Sequence, residues 1–229
     1  MTKIRIAFLG LGGVGGYYGG KLAARYSGSG RVDVCFLARG EHLKAIQESG
    51  IHVITDQEDF IARPDLATDN PQEAGVMDYV IITTKSYDLR SSIEFISPCI
   101  GPHTIILPLL NGGDITERIR EILPDNTVWS GCSYIVSRKT QPGVIRASGT
   151  FYKLVFGYDK GVNEQSRNFE KLLQEASIDA VISENIRASI WKKFFFISVS
   201  ASLTSYYDVS FNELVNTEER LNMTVGLAE

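Results

Sequence analysis

The feature that most constrains the fold is a glycine-rich segment near the N-terminus, G-L-G-G-V-G at residues 10–15. It follows the short apolar run 4–9, which is rich in β-forming residues, and it precedes a helical pattern over 17–26. In this strand–loop–helix setting the spacing fits G-x-G-x-x-G, the phosphate-binding loop of dinucleotide-binding proteins. The predicted cofactor-binding residues are Gly10, Leu11, Gly12, Gly13, Val14 and Gly15. The alternative interpretation is a turn with a purely structural role.

Strands and helices alternate along the next hundred residues, a pattern typical of a parallel, doubly wound sheet. The predicted strands are 4–9, 32–37, 79–83 and 104–109, and the predicted helices are 17–26, 41–48, 88–95 and 114–122. Residues 51–61 resemble a small hairpin. The extended runs 128–138, 143–147 and 151–156 predict antiparallel strands added to the same sheet, and 163–176 predicts an amphipathic helix. We therefore expect an α/β fold, a Rossmann-type doubly wound sheet with an antiparallel extension.

The C-terminal part reads as helices only, roughly 184–206 and then 210 to the end. We expect a dinucleotide-binding domain at 1–183 and the start of a helical substrate or dimerisation domain at 184–229. The last stretch ends without a cap or stop signal. Either these helices pack on a second chain, as in a homodimer, or the sequence is a fragment with an incomplete helical domain.

Composition excludes several classes of function. The net charge of −4 and the pI near 5.5 argue against nucleic-acid binding. The first apolar run is too short and too rich in glycine for a signal peptide or membrane span. Three separated cysteines suggest free thiols in the cytoplasm, and three histidines without ligand spacing predict neither a metal site nor a Ser-His-Asp triad.

The residue at the end of the second strand indicates which dinucleotide is bound. An NAD site usually carries Asp or Glu there, for the ribose hydroxyls. This chain has Arg39 at that position, whereas Asp33 comes too early. Because a guanidinium pairs with a 2′-phosphate and a carboxylate repels it, the sequence predicts NADPH/NADP⁺. Alternatively, Arg39 is a solvated loop cation.

Two further polar residues follow buried strands. Lys85 comes after the strand at 79–83 and Asn111 after that at 104–109. Ligands bind at the carboxyl ends of strands in doubly wound sheets, so both side chains are predicted to face the cofactor crevice. Lys85 could instead be a surface lysine, and Asn111 could belong only to a turn.

Near the C-terminus two lysines run directly into three phenylalanines, in W-K-K-F-F-F at 191–196. Lys193 shares a helix face with Ile197 and Ser200, and the segment 194–203 is apolar enough to predict a buried helix. Burial lowers the pKa of a lysine, which suits it to act as a general acid near neutral pH. The alternative is that Lys192 and Lys193 extend their charged ends to water.

The chain resembles the 2-dehydropantoate 2-reductase (ketopantoate reductase) family over nearly its whole length. The matching segments are G-L-G-G-V-G, Arg39, T-T-K-S-Y around Lys85, L-N-G-G around Asn111, P-G-V-I at 142–145 and N-I-R-A-S-I-W-K-K at 185–193. The resemblance implies that Lys193 is the catalytic lysine, that Arg39 binds the 2′-phosphate, that Asn111 lies at the nicotinamide and substrate, and that Lys85 lines the crevice. The implied reaction is NADPH-dependent reduction of 2-dehydropantoate to (R)-pantoate, for pantothenate synthesis, with hydride transfer to the C2 carbonyl.

Two departures affect the substrate assignment. Family members commonly carry asparagines one and two turns after the catalytic lysine, where this chain has Ile197 and Ala201. Ser200 is the best placed replacement for binding substrate. The family's downstream glutamate would lie beyond this sequence. Alternatives are therefore a reductase of a different 2-oxo acid, or a non-catalytic NADP(H)-binding sensor or subunit.

Overall fold

The computed structural model describes residues 3–227 and contains eleven strands and nine α-helices within them. The strands are β1 (Ile4–Leu9), β2 (Val32–Leu37), β3 (Ile51–Ile54), β4 (Asp59–Ala62), β5 (Leu66–Thr68), β6 (Tyr79–Ile82), β7 (Ile105–Pro108), β8 (Thr127–Val128), β9 (Ser130–Gln141), β10 (Val144–Gly157) and β11 (Asp179–Ile182). The helices are α1 (Gly13–Tyr26), α2 (Gly40–Ser49), α3 (Pro71–Ala74), α4 (Leu89–Ile96), α5 (Ile115–Ile122), α6 (Glu164–Glu175), α7 (Ile186–Tyr207), α8 (Phe211–Leu214) and α9 (Glu218–Gly226).

Six parallel strands form the first sheet, in the order β5-β2-β1-β6-β7-β8. β2 and then β5 lie on one side of β1, and β6, which comes later in the chain, lies on the other side of β1. The order thus reverses between β1 and β6, and a doubly wound sheet opens its ligand crevice at that point. The predicted Rossmann-type sheet is confirmed.

Both faces of this sheet are buried, which explains why its strands read as nearly continuous apolar runs. On one face Phe8 and Ile81 pack with Tyr18 of α1. On the other face Val80 packs with Ile93 of α4, in a core that also includes residues of α5. Helices on both sides therefore hold the carboxyl ends of the strands in fixed positions.

The antiparallel strands do not extend the first sheet as we expected; they belong to a second sheet. Its order is β11-β10-β3-β4, with β9 paired to β10. The predicted hairpin is confirmed as β3 and β4, while β10 pairs antiparallel with β9 and parallel with β3 and β11. Glycines on α1 allow the second sheet to approach that helix, because a Cβ at Gly16 would meet Ile145 and one at Gly20 would meet Val53.

The C-terminal helices differ from expectation in two ways. The helix predicted from 210 onward is two helices, α8 and α9, and residues 228 and 229 of that range lie outside the described residues. The predicted burial of 194–203 is wrong for most of its side chains, since Phe195 and Phe196 are about half exposed. In the described chain α7 contacts β9, β10, α8 and α9, yet most of its side chains between 194 and 202 stay partly or fully exposed.

Short elements were missed by the sequence analysis, namely β5, α3 and β11. The end of β11 at Ile182 and the start of α7 at Ile186 agree with a division near 183, which stays a prediction, as does the homodimer. Among the described residues, no helix combines the length and apolar character needed to cross a membrane.

Candidate functional site

The glycine loop lies where the strand order of the first sheet reverses. Gly10 has φ +91°, a conformation that other L-residues rarely adopt. A Cβ at Gly15 would collide with the carbonyl oxygen of Gly10 and the hydroxyl of Thr83, so glycine is required where α1 crosses β1. Gly12, by contrast, faces open space. The loop thus exposes backbone at the N-terminus of α1, where unpaired N–H groups favour an anion.

A cavity of about 490 Å³ opens beside this loop. Its polar and loop residues include Gly10, Gly12, Arg39, His42, Asp69 and Lys139. The structure therefore brings Arg39 together with the glycine loop, as the sequence predicts. Lys139 comes from β9 of the second sheet, and the sequence analysis missed it. Two cations line this cavity with one carboxylate, which favours an anionic ligand.

His42 joins the glycine loop to the second sheet. Its Nδ1 accepts a hydrogen bond from the N–H of Gly143 at 2.8 Å, so Nε2 carries the proton and donates to the Leu11 carbonyl at 2.7 Å. Burial lowers the pKa of His42, in keeping with a neutral ring held between these partners. In the sequence, His42 was considered only as part of a metal site or of a Ser-His-Asp triad. Its spacing from Arg39, one helical turn, was the available signal that it faces the same cavity.

Lys193 and Asn111 form the polar centre of a second cavity. The Nζ of Lys193, on α7, donates to Oδ1 of Asn111, in the loop after β7, at 2.8 Å. Lys193 is only 8% exposed, and its Nζ lies 5.9 Å from the ring centroid of Tyr134. Burial lowers the pKa of Lys193, an effect that neighbouring Cys132 partly opposes. The predicted desolvated lysine is thus present in the geometry, whereas Lys192 is exposed.

This second cavity has a volume of about 240 Å³. Its polar lining consists of Ser86, Asn111, Asp114, Arg118 and Lys193. An apolar wall from α7 completes it, formed by Ile190, Phe194 and Ile197. An ammonium and an amide beside apolar side chains can bind a small polar molecule, stabilise an oxyanion and donate a proton. Arg118 was missed by the sequence analysis, although it follows Asn111 by only seven residues.

Two residues predicted to belong to the site, Lys85 and Ser200, do not line the smaller cavity. Lys85 is exposed, precedes a short 3₁₀ helix at Ser86–Asp88, and lines neither of these two cavities. Ser200 does not line the smaller cavity, and its hydroxyl donates to the carbonyl oxygen of Phe196 at 2.6 Å within its own helix. Its substrate-binding role stays a prediction without support from these contacts.

Comparison with known proteins identifies relatives across the chain. The family model described as Ketopantoate reductase PanE/ApbA matches residues 6–161. A crystal structure of 2-dehydropantoate 2-reductase from Porphyromonas gingivalis superposes with a TM-score of 0.91 at 42% identity, covering 99% of this chain and 79% of that one.

Two curated relatives also match most of this chain. An uncharacterized oxidoreductase, YkpB, of Bacillus subtilis is 29% identical over 94% of this chain. A 2-dehydropantoate 2-reductase of Mesorhizobium japonicum is 30% identical over 83% of it. The chain spans 69% and 63% of the lengths of these two relatives.

Proposed function

Because the chain belongs to the ketopantoate reductase family, we propose that it is an NADPH-dependent reductase of a 2-oxo acid, converting 2-dehydropantoate to (R)-pantoate. One observation carries the proposal beyond family membership. The ammonium of Lys193 is buried and is oriented by Asn111 at the carboxyl edge of the dinucleotide-binding sheet. Carbonyl reduction needs a proton donor at this edge, close to the cofactor crevice.

The residues of the larger cavity suit a phosphorylated dinucleotide. Open space at Gly12 and the N-terminus of α1 would receive the pyrophosphate on backbone N–H groups. Arg39 would pair with the 2′-phosphate, and Lys139 adds a second cation to the same cavity. NADPH, when bound, supplies the hydride that the reaction consumes.

Lys193 meets the electrostatic demand of the reaction. Negative charge develops on the carbonyl oxygen of the substrate as the carbonyl is reduced, and a preorganised ammonium stabilises that charge. Lys193 then donates a proton to the resulting alkoxide. Since burial lowers its pKa, the ammonium releases that proton more readily than an exposed lysine.

Asn111 and the apolar wall have supporting roles. The Asn111 amide oxygen accepts one N–H of the Lys193 ammonium and so fixes its direction. Ile190, Phe194 and Ile197 limit the entry of water, which strengthens the charge–charge interactions within the cavity. The chain itself thus contributes binding, orientation and the proton.

The proposal is tested by adding 2-dehydropantoate to the protein with NADPH and following absorbance of the reduced cofactor. Rapid oxidation, with (R)-pantoate as product and a strong preference for NADPH over NADH, is the expected result. Cofactor binding is measured on the same sample by fluorescence of bound NADPH. Binding without oxidation of NADPH in the presence of any 2-oxo acid would contradict the proposed reaction and favour a non-catalytic sensor.

A second candidate is reduction of a different 2-oxo acid. Ile197 lines the smaller cavity at the position where the resemblance leads us to expect an asparagine. An isoleucine offers no hydrogen bond to a substrate hydroxyl, which favours 2-oxo acids with alkyl side chains. A panel comparing 2-dehydropantoate with alkyl 2-oxo acids by kcat/KM distinguishes the two candidates.

A further inference from the structure

The smaller cavity contains a second cation that forms no ion pair with the described residues. Arg118 of α5 lines it beside Lys193 and is half-buried. Its Nη2 donates to the backbone carbonyl of Ser86 at 3.3 Å, a long bond to a neutral acceptor. None of the ion pairs found within residues 3–227 includes Arg118.

A second arginine on the same helix, Arg120, does form an ion pair. Arg120 pairs with the carboxylate of Asp159 at 2.6 Å and donates to the Val128 carbonyl at 3.0 Å. These contacts hold α5 against neighbouring segments, which gives Arg120 a structural role. Arg118 forms no such ion pair within residues 3–227, and it lines the smaller cavity instead.

The charges around this cavity favour an anion. Lys193 and Arg118 contribute two positive charges, and Asp114 contributes one negative charge. Asp114 is exposed, so water screens it, whereas Lys193 is buried and Arg118 is half-buried. The net field in the cavity is therefore positive.

We propose that Arg118 binds the carboxylate of the 2-oxo acid substrate, so that the adjacent carbonyl oxygen faces Lys193. A guanidinium matches a carboxylate with two parallel hydrogen bonds and so fixes its orientation. The Ile197 wall offers no charge to a carboxylate, whereas Arg118 offers a guanidinium on the same cavity as Lys193. This assignment deepens the proposed function and rests on it.

The test compares binding of a 2-oxo acid and of its neutral amide by calorimetry, with NADP⁺ present. The wild-type protein should prefer the acid. Arg118→Gln should bind the acid about 10-fold to 150-fold more weakly, the range expected for one charged hydrogen-bonding group, and should lose the preference for the acid over the amide. Arg118→Lys should recover part of that preference.

Arg90→Gln is the matched control, since Arg90 is an exposed cation of α4. It should leave both affinities unchanged, and NADP⁺ affinity and thermal midpoint should be the same in all variants. In turnover, Arg118→Gln should raise KM for the acid far more than it lowers kcat.

Equal binding of the acid by Arg118→Gln and the wild type would overturn the assignment, as would a wild type that binds no 2-oxo acid. A wild type that binds the acid through Arg118 but oxidises no NADPH would instead refute the proposed reaction and support Arg118 as the carboxylate site.

Discussion

The Nζ of Lys193 lies 2.8 Å from Oδ1 of Asn111. This hydrogen bond joins α7 to the loop after β7. The two residues are 82 positions apart in sequence. Lys193 lies on α7 and Asn111 lies in a loop of the dinucleotide-binding sheet. The distance between their side chains therefore depends on how α7 packs against that sheet. A buried ammonium held by one amide oxygen is also sensitive to the loss of that partner.

Removal of Asn111 should therefore act through Lys193. We expect Asn111→Ala and Lys193→Ala each to reduce kcat strongly, and the double variant to be scarcely worse than Lys193→Ala alone, because the two side chains work as a unit. Steady-state kinetics of the four proteins would show this. Additive losses in the double variant would mean that Asn111 has a role independent of Lys193.

The two cations of the larger cavity should determine cofactor preference. Arg39→Gln should weaken NADPH binding by about 10-fold to 150-fold while leaving NADH nearly unaffected, because only NADPH carries the 2′-phosphate. Lys139→Gln should have a smaller effect of the same kind, since an ammonium is a point charge without the two-pronged donor geometry of the Arg39 guanidinium. Fluorescence titrations with both cofactors measure the ratio. Equal losses for NADPH and NADH would count against the 2′-phosphate role.

Two glycines of the loop should respond differently to the same substitution. Gly15→Ala forces a Cβ against the Gly10 carbonyl and Thr83, so we expect a loss of about 1–3 kcal/mol in the free energy of unfolding. Gly12→Ala meets open space and should leave stability unchanged while weakening NADPH binding. Urea unfolding and NADPH titration separate the two. A stable Gly15→Ala protein would refute the close packing of α1.

Burial of Lys193 predicts a pH dependence of stability with a defined sign. The pKa of Lys193 is lowered in the folded protein, so between that lowered value and 10.5 the unfolded chain binds more protons than the folded one. The contribution of Lys193 to the free energy of unfolding therefore rises with pH between these two values. Lys193→Met has no titrating group at this position, so its stability advantage over the wild type in urea unfolding should shrink as the pH rises towards 10.5. A difference independent of pH would contradict the lowered pKa.

Sequence reasoning predicted most reliably the features that neighbouring residues determine. The glycine loop, the apolar strands of the first sheet and Arg39 at a strand end all depend on local spacing. The placement of β9 and β10 does not, because pairing β10 in parallel with β3 joins segments about ninety residues apart in the chain. Periodicity alone cannot reveal such a partner, and those strands were therefore assigned to the wrong sheet.

The site residues also fall into those predicted from local sequence and those that depend on the three-dimensional fold. Asn111 was predicted from its place after a buried strand, and Lys193 from helical periodicity together with the family resemblance. His42, Lys139 and Arg118 were missed because their relevance depends on which cavity their element faces in three dimensions. The exposure of Phe195 and Phe196 likewise depends on which elements cover α7, which an apolar pattern cannot specify.

The most direct test of the account compares Lys193→Ala with Lys192→Ala in NADPH oxidation with 2-dehydropantoate. The neighbouring lysines have the same charge and lie on the same helix, but only Lys193 lines the cavity. Lys193→Ala should lose about 100-fold to 10,000-fold in kcat, the range typical of removing a general acid, while binding NADPH normally. Lys192→Ala should retain wild-type turnover. Full activity in Lys193→Ala, or an equal loss in both variants, would contradict the central claim that the buried lysine is the proton donor.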